Sequence, residues 1–563
     1  MSSIRDLARG APADYLIIGG GAAGCVLASR LSERPDLNVL LVERGGVYPA
    51  GGEPAVISDF GSRSLFSPAH MWGELKAIAK GHPDSADDST ALPYAAGRTL
   101  GGGSSVNGML AHRGLPGDYD EWSEFGVSGW SWNDVLPFFR KLEADQDFDG
   151  PCHGKDGPMP IRRFAERQWS GFERAVSDQW QQRQLPWMAD LTGDQPTGHG
   201  PMPLNVSHGR RVSVARAYLD PQVRARPNLT IIGDAEASRL LIEDGRAHGA
   251  LFTGAFGEVE IKAHNVIVSA GAISSPTLLL RSGIGPAATL AASGRNILLD
   301  RPGVGGNLQE HASLLVAAHL PRSSRRQARL PACLSFARYS SGTPGCAEAD
   351  MMVTTMGIAP GATAWNPLGR SFGALLAILH KPYSRGAVRL DADGRPRVMF
   401  NLLSDERDLT RMIDGWQTVR AIMEGAAGSV NQAFVPLTLG RTDDSLMTAL
   451  VSTVGAITLD GPAALRRRIL KSVGIPLDAI PRNGDQLREW VTTFTGPAAH
   501  ATGTCRMGQA ADPNAVVDSD CRVIGVDGLH VVDTSIFPTL MRSGTHLPVI
   551  MAGEKAAASI LGR

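Results

Sequence analysis

Three glycines, Gly19, Gly21 and Gly24, stand in Gly-x-Gly-x-x-Gly spacing directly after the apolar run Tyr15-Leu16-Ile17-Ile18. That pattern can hold a pyrophosphate on backbone N–H groups. The first glycine permits a tight turn, the second lets main chain approach the phosphates, and the third lets a helix pack closely on the strand. Small and apolar residues from Ala22 to Ala28 continue at helical spacing. The start of that helix would aim free N–H groups and a positive dipole end at the phosphates. A second apolar run, Leu37 to Val42, ends on Glu43, 19 residues past Gly24. An acid about 20 residues on is where a ribose hydroxyl is held. Strand, glycines, helix, second strand and terminal acid agree, and they predict a site for an ADP-containing dinucleotide. A glycine-rich turn between packed elements would leave Glu43 at the strand's end unexplained.

The elements that must position this site are spread along the chain. Residues 45–97 form a long irregular stretch rich in Gly, Pro, Ser and Asp, and loops of that length are usually lids or ligand-binding segments. It leads into Leu100-Gly101-Gly102-Gly103-Ser104-Ser105-Val106-Asn107. Its consecutive glycines bring backbone close to a ligand, and Ser104, Ser105 and Asn107 add polar groups. The runs Leu229–Ile232, Asn265–Gly271 and Leu529–Asp533 look like buried parallel strands. Between Glu310 and Pro497 the pattern changes. Alternating runs at Phe372–His380 and Gly386–Leu390 predict an antiparallel sheet, and Asp408–Gly425 predicts a helix. The expected fold is α/β: a discontinuous Rossmann-like dinucleotide domain with an inserted α+β substrate domain. The dinucleotide domain would comprise residues 1–155, 205–310 and 498–563, and the substrate domain 156–204 and 311–497.

At 563 residues two or more domains are expected. A formal net charge of −1 argues against general attraction to nucleic acid or anionic membrane. The basic runs Arg322–Arg329 and Arg466–Arg468 lack the aromatic interleaving of a nucleic-acid groove and read as solvated surface. Six cysteines are scattered without Cys-x-x-Cys or zinc spacing. That usage predicts no disulfide, no metal site and a reducing, cytoplasmic setting. No apolar stretch reaches the ~20 residues of a membrane span, and the first apolar run is the nucleotide strand itself, which leaves no place for a signal peptide.

The chain resembles the glucose–methanol–choline oxidoreductases, flavoproteins that oxidise alcohols with FAD. The likeness extends over nearly the whole sequence. It is carried by Gly97–Asn107, by Gly271–Gly285, by Pro302–His311 and by the run His500-Ala501-Thr502-Gly503-Thr504-Cys505-Arg506-Met507-Gly508. The resemblance implies that Gly19, Gly21 and Gly24 bind the FAD pyrophosphate and Glu43 the adenosine ribose. It implies further that Arg98, Gly101, Gly102, Ser104 and Asn107 lie along the pyrophosphate and isoalloxazine. Ala237 sits where the family's backbone holds adenine, and Asp533 where the ribityl chain and pyrophosphate are contacted. Some members bond FAD covalently through a histidine just before the Asn107 position. Here that residue is Val106, so the FAD is expected to be non-covalent.

Alcohol oxidation of this kind needs a base for the hydroxyl proton and a pose that aims the carbon-bound hydride at flavin N5. Histidine suits the base because its pKa of ~6.5 lies near working pH. His500 opens the family run and is the expected base. Relatives place a second His or Asn near the C-terminus. Here Gly544 holds that position and His546 follows two residues on, so His546 is expected either to act as the partner or to touch the flavin's pyrimidine edge. Many relatives carry an aromatic before the base where this chain has Ala499. Two small residues imply a widened pocket and a bulky or aromatic primary alcohol. Met351–Met356 reads as core packing, with an adaptable pocket wall as the alternative. The acceptor is O₂ or another electron acceptor, and the substrate a small-molecule alcohol. Relatives that keep the flavin without net redox chemistry, or use it photochemically, define the competing activities: hydroxynitrile lyase and fatty-acid photodecarboxylase.

Overall fold

The computed structural model describes residues 4–60, 67–81, 88–193, 195–359, 366–437 and 446–563. Strand Ala13–Ile18 carries Leu16, Ile17 and Ile18 fully enclosed, as expected of a strand covered on both faces. It lies between Val39–Val42 and Gly257–Val268, with Leu229–Ile232 and Leu529–Val531 completing a parallel array. The register aligns the carboxyl ends: Val42 pairs with both Ile18 and Ile232, and Val268 pairs with both Ile18 and Val531. The next residues of four of these strands are Gly19, Glu43, Ser269 and Val532, the last followed by Asp533. One edge therefore receives the glycine turn and both acids, the edge where open α/β sheets bind ligands. The front half of Gly257–Val268 leaves this array to pair antiparallel with Arg246–Gly254, which pairs in turn with Glu236–Glu243.

Helix Ala22–Leu31 lies against the first strand, and helix His546–Ile560 lies against that helix. Glu554 locks the stack: Arg30, Lys141 and Tyr218 reach its carboxylate at 2.7, 2.9 and 2.8 Å.

The second large sheet has eight strands, all antiparallel, and the helix Glu406–Gly425 covers one face. The alternating run at Phe372–His380 is its strand Phe372–Leu379, paired with Ala312–His319 and Met351–Met356. The run at Gly386–Leu390 is not part of it. Ala387–Leu390 pairs with Pro396–Met399, which pairs with Lys76–Ile78 from the long irregular stretch. Alternation identifies a strand but carries no address, so the partner came from elsewhere in the chain. Met351 and Met352 are fully buried on opposite faces of their strand, in two separate clusters, and neither lines the cavity described below. They are core. The basic run at Arg322–Arg329 is not all solvated surface. Arg326 is buried against Glu173 and Arg325 reaches Asp460, because two carboxylates wait there.

All six cysteines are free thiols. Among the described residues no helix is long and apolar enough to cross a membrane. One buried acidic cluster holds Glu143 and Asp145 around His153, whose ring nitrogens lie 3.2 Å from Glu143, 3.3 Å from Asp145 and 3.1 Å from Asp190. Arg163 joins Asp145 and Asp190, so cations of the chain already face this negative charge. Bonds to Asp145, Asp190 and Glu143 hold His153 protonated, its pKa raised to about 11. Because the folded pKa is the higher one, this stabilisation is complete below pH 6.5 and is lost as pH rises through about 11. Thermal melts of wild type and His153→Gln should therefore differ by about 1.5–3 kcal/mol at pH 6 and converge toward pH 11. A constant gap across that range would overturn the imidazolium assignment.

Candidate active site

The carboxyl edge of the parallel strands opens into a cavity of 440 Å³ that runs from the glycine turn to His500. At its nucleotide end Gly19 takes φ +103°, a conformation that strains any residue with a Cβ, and Gly24 packs so tightly that a Cβ would meet Gly19 O at 2.0 Å. Glu43 accepts hydrogen bonds from the N–H groups of Gly20 and Gly45, both at 2.7 Å. The acid thus first pins the turn it follows. Each carboxylate oxygen keeps a further lone pair for a ribose hydroxyl. Burial raises the Glu43 carboxyl's pKa, while the two amides, Arg44 and Arg98 act to lower it. Asp533 is built alike: it accepts from Gly271 N at 2.9 Å, Ser275 Oγ at 2.5 Å and Ser535 N at 2.7 Å. It secures the N-terminus of helix Gly271–Arg281, which also faces the cavity.

The Gly101–Asn107 loop stacks on the first glycine turn, where a Cβ on Gly102 would lie 2.9 Å from Gly21 Cα. Its polar groups mostly hold the loop. Ser104 Oγ donates to Gly101 O and accepts from Val214 N, and Asn107 Oδ1 accepts from Met109 N and from Arg211 at 2.8 Å. Among the described residues Ser269 Oγ, on the cavity wall, is buried without a partner. A glycine cradle, two helix N-termini, a ribose-type acid and an unsatisfied hydroxyl fit a dinucleotide such as FAD.

At the far end stands His500. Its Nδ1 lies 2.9 Å from His311 Nδ1, and His311 Nε2 lies 3.1 Å from the carbonyl of Met541. The tautomers follow from donor and acceptor logic rather than from visible hydrogens. A carbonyl only accepts, so His311 carries its proton on Nε2 and offers Nδ1 as acceptor. His500 must then carry its proton on Nδ1, which leaves Nε2 bare. Burial keeps both rings neutral, His500 with its pKa lowered to about 4 and His311 well below the usual histidine range. A bare imidazole nitrogen therefore faces the Gly544 side of the cavity, where a Cβ on Gly544 would be 3.3 Å away. The same Cβ would meet His112 Nε2 at 3.2 Å, and that nitrogen accepts the Gly544 N–H at 3.1 Å. Burial lowers the pKa of His112 to about 3.

Of the residues singled out from the sequence, Gly19, Gly21, Glu43, Gly102, Ser104, Asn107, Ala237, His500, Asp533 and His546 line this one cavity. Gly24, Arg98 and Gly101 do not. Gly24 and Gly101 act by close packing and a positive φ, and Arg98 acts on Glu43 by charge. His546 begins the helix His546–Ile560 near Arg211, and burial followed by that arginine lowers its pKa to about 4. His112 and Gly544 lie beside His500 Nε2, and His546 lines the same cavity. His112 Nε2 occupies the side of Gly544 where a larger residue would stand, and Ala499 also lines the cavity. Sequence reasoning gave no role to His112, Glu310 or His311. The last two stood inside a quoted motif, whereas His112 had no sequence signal.

Fold and cavity define a class, and the chain belongs to it: it is a member of the GMC oxidoreductases, FAD-dependent flavoenzymes. The N-terminal GMC oxidoreductase family pattern matches residues 13–313 and the C-terminal one 382–553. A 5-(hydroxymethyl)furfural oxidase from Methylovorus sp. (strain MP688) is 38% identical over 561 residues, covering 97% of this chain and 98% of that protein. An oxygen-dependent choline dehydrogenase from Rhizobium rhizogenes (strain K84 / ATCC BAA-868) is 32% identical over 582 residues, covering 98% and 96%. Among solved structures, pyridoxine 4-oxidase from Mesorbium loti superposes with a TM-score of 0.79 at 30% identity, covering 98% of this chain and 99% of that one. The protein is thus an oxidase or dehydrogenase acting on alcohols and related donors.

Proposed function

We propose that the protein oxidises a bulky or aromatic primary alcohol to the aldehyde, with His500 as the base and dissociable FAD as the acceptor of the hydride. The observation that carries this reading is the bare Nε2 of His500 in the cavity that begins at the dinucleotide turn. When bound, FAD supplies the hydride-accepting ring. His500 Nε2 takes the hydroxyl proton, while the Nδ1–H bond to His311 keeps the imidazole from turning. Gly19, Gly21, Gly102, Glu43, Asp533 and the backbone at Ala237 would hold the cofactor's nucleotide half. Asn107, backed by Arg211, and His546 would meet its ring. Because burial lowers the His500 pKa to about 4, the base form prevails from mildly acid pH upward. In this reading the chain divides at residues 155, 204, 310 and 497, and its free thiols fit a cytoplasmic setting.

Two relatives are named for ring compounds, 5-(hydroxymethyl)furfural and pyridoxine, and the small Ala499 leaves room for one beside the base. Choline fits less well. Trp72 lines the cavity, yet its face is already covered by the Arg44 guanidinium 3.6 Å from the ring centre, which would repel an ammonium. The proposal is tested by adding a panel of primary alcohols to anaerobic enzyme. Bleaching of the flavin supports hydride transfer, and admission of air then shows whether O₂ reoxidises it. Stable yellow flavin with carbonyl–cyanide turnover would replace this reading with a lyase.

Ala499→Trp should lower kcat/KM for benzyl-type alcohols by about tenfold or more while sparing ethanol, since one filled ring site corresponds to roughly 1–3 kcal/mol of discrimination. Equal loss of both activities would rule out the widened side. Val106 is buried and offers no nucleophile beside the loop. Acid or heat denaturation is therefore expected to release all the yellow colour into the supernatant. Flavin retained by the precipitate would reveal a covalent link.

A further inference from the structure

Beneath the base lies a carboxylate that the reaction as described does not use. Glu310 is 2% exposed. The N–H of His500 donates to both its oxygens, at 2.8 and 2.9 Å, and the hydroxyl of Tyr94 donates to Oε2 at 2.6 Å. The residue before His500, Ala499, has φ +65°, a left-handed conformation that costs energy in any residue with a Cβ. This turn aims the His500 N–H at the carboxylate, while Ala498 N donates to His311 O at 3.0 Å. The segment that carries the base is thus clasped by Glu310 and its neighbour.

Donors from two different elements converge on two oxygens. The ionised carboxyl accepts every one of these bonds with charge assistance, whereas a proton turns one oxygen into a donor and leaves the remaining bonds neutral and weaker. We propose that ionised Glu310 is the positioning residue of the base: it holds the strained turn beneath His500, and its negative charge stabilises the imidazolium that forms when His500 takes the substrate proton. This deepens the reading of His500 as base and rests on it. The titratable side chain that meets Glu310 is Tyr94, while His311 and His500 reach it through main-chain N–H groups. His112 and His380 adjoin these histidines, and Lys381 is a cation acting on His311. Burial raises the Glu310 carboxyl to about 7, with Tyr94 and the N–H of His500 pulling the other way. The switch between clasped and loosened turn therefore falls near neutral pH.

Anaerobic flavin reduction by a benzyl-type alcohol, followed across pH, tests this in the full-length holoenzyme. Wild type should speed up through a limb with a midpoint near 7. Glu310→Gln should lack that limb, matching wild type at acid pH and falling about tenfold behind at alkaline pH. Glu310→Asp should keep the limb. Tyr94→Phe removes a donor that favours the charged form and should move the midpoint up by about one pH unit. The infrared carboxyl band lost in Glu310→Gln should titrate with the same midpoint in unreacted wild type. Because the folded-state pKa is raised, ionised Glu310 costs stability above pH 7, so Glu310→Gln should melt higher than wild type there and not at acid pH.

A limb unchanged in Glu310→Gln, or a loss equal at every pH, would leave Glu310 a structural residue and overturn the proposal. If that variant fails to fold, an unmoved midpoint in Tyr94→Phe has the same force. His500→Ala separates the two readings. If it reduces flavin at the normal rate, the base assignment itself fails, whereas a slow His500→Ala beside an unaltered Glu310→Gln profile removes Glu310 alone.

Discussion

His500→Ala should leave FAD bound and lower the rate of flavin reduction by a factor of about 10² to 10⁴, the range for loss of a positioned general base. Two features make this effect large. His112 Nε2 accepts the Gly544 N–H, and His311 Nδ1 accepts from His500. Removing His500 also frees His311 Nδ1, but that nitrogen faced Nδ1 of the lost ring and not its Nε2. The substitution also spares the main chain, because Glu310 binds the backbone N–H of residue 500 and not its ring. FAD content should stay near wild type, as the glycine cradle, Glu43 and Asp533 are untouched. Stopped-flow reduction with one alcohol, compared at equal flavin loading, decides the matter. Reduction at a near-normal rate would reject His500 as the base.

Gly24→Ala should weaken FAD binding by about tenfold to a hundredfold or more. The added methyl would lie 2.0 Å from Gly19 O, a main-chain atom in a turn tied to the next strand by the bond from Gly19 N to Val42 O at 2.8 Å. Helix Ala22–Leu31 would have to lift off the strand, moving its N-terminus away from the phosphates. Overpacking of this kind costs about 1–3 kcal/mol or more, and each 1.4 kcal/mol lost from binding is about tenfold in affinity. Gly20→Ala is the control. There the added Cβ would meet Leu100 Cδ1 at 2.8 Å, the end of a side chain that can turn, and Glu43 Cβ and Oε2 at 3.1 and 3.2 Å, side-chain contacts that ask for a small shift and not for movement of main chain. The ratio of flavin to protein absorbance should fall in Gly24→Ala and survive in Gly20→Ala. A fully yellow Gly24→Ala protein would show that close helix–strand contact is not what holds the cofactor.

The strands at Ala13, Val39, Leu229 and Leu529, the turn at Gly19–Gly24 and the acid Glu43 were legible because each is a local demand of the backbone. Burial on both faces requires continuous apolar residues, a positive φ calls for glycine, and a strand end places its next residue at the sheet's edge. The family motifs brought in His500, Asp533 and the Gly101–Asn107 loop as well. What could not be read was which side chain meets which. Val106 and Ala499 were visible as departures, but the filling of the Gly544 side by His112 was not, since residues 112 and 544 are joined only by the tertiary fold. The proton position on His500 depends on His311 and the carbonyl of Met541, and the clasp beneath it on Tyr94 and Glu310. Gly386–Leu390 shows the same limit for strands: alternation disclosed an extended segment, and register sent it to Pro396–Met399 and Lys76–Ile78 instead of the large sheet. Sequence alone determined the dinucleotide turn and the strand cores, because spacing of a few residues expresses backbone geometry directly. Only the tertiary structure decided the tautomer, the pocket's shape and the ionisable support of the base, because those arise where distant segments bury polar atoms against one another and each must find a partner.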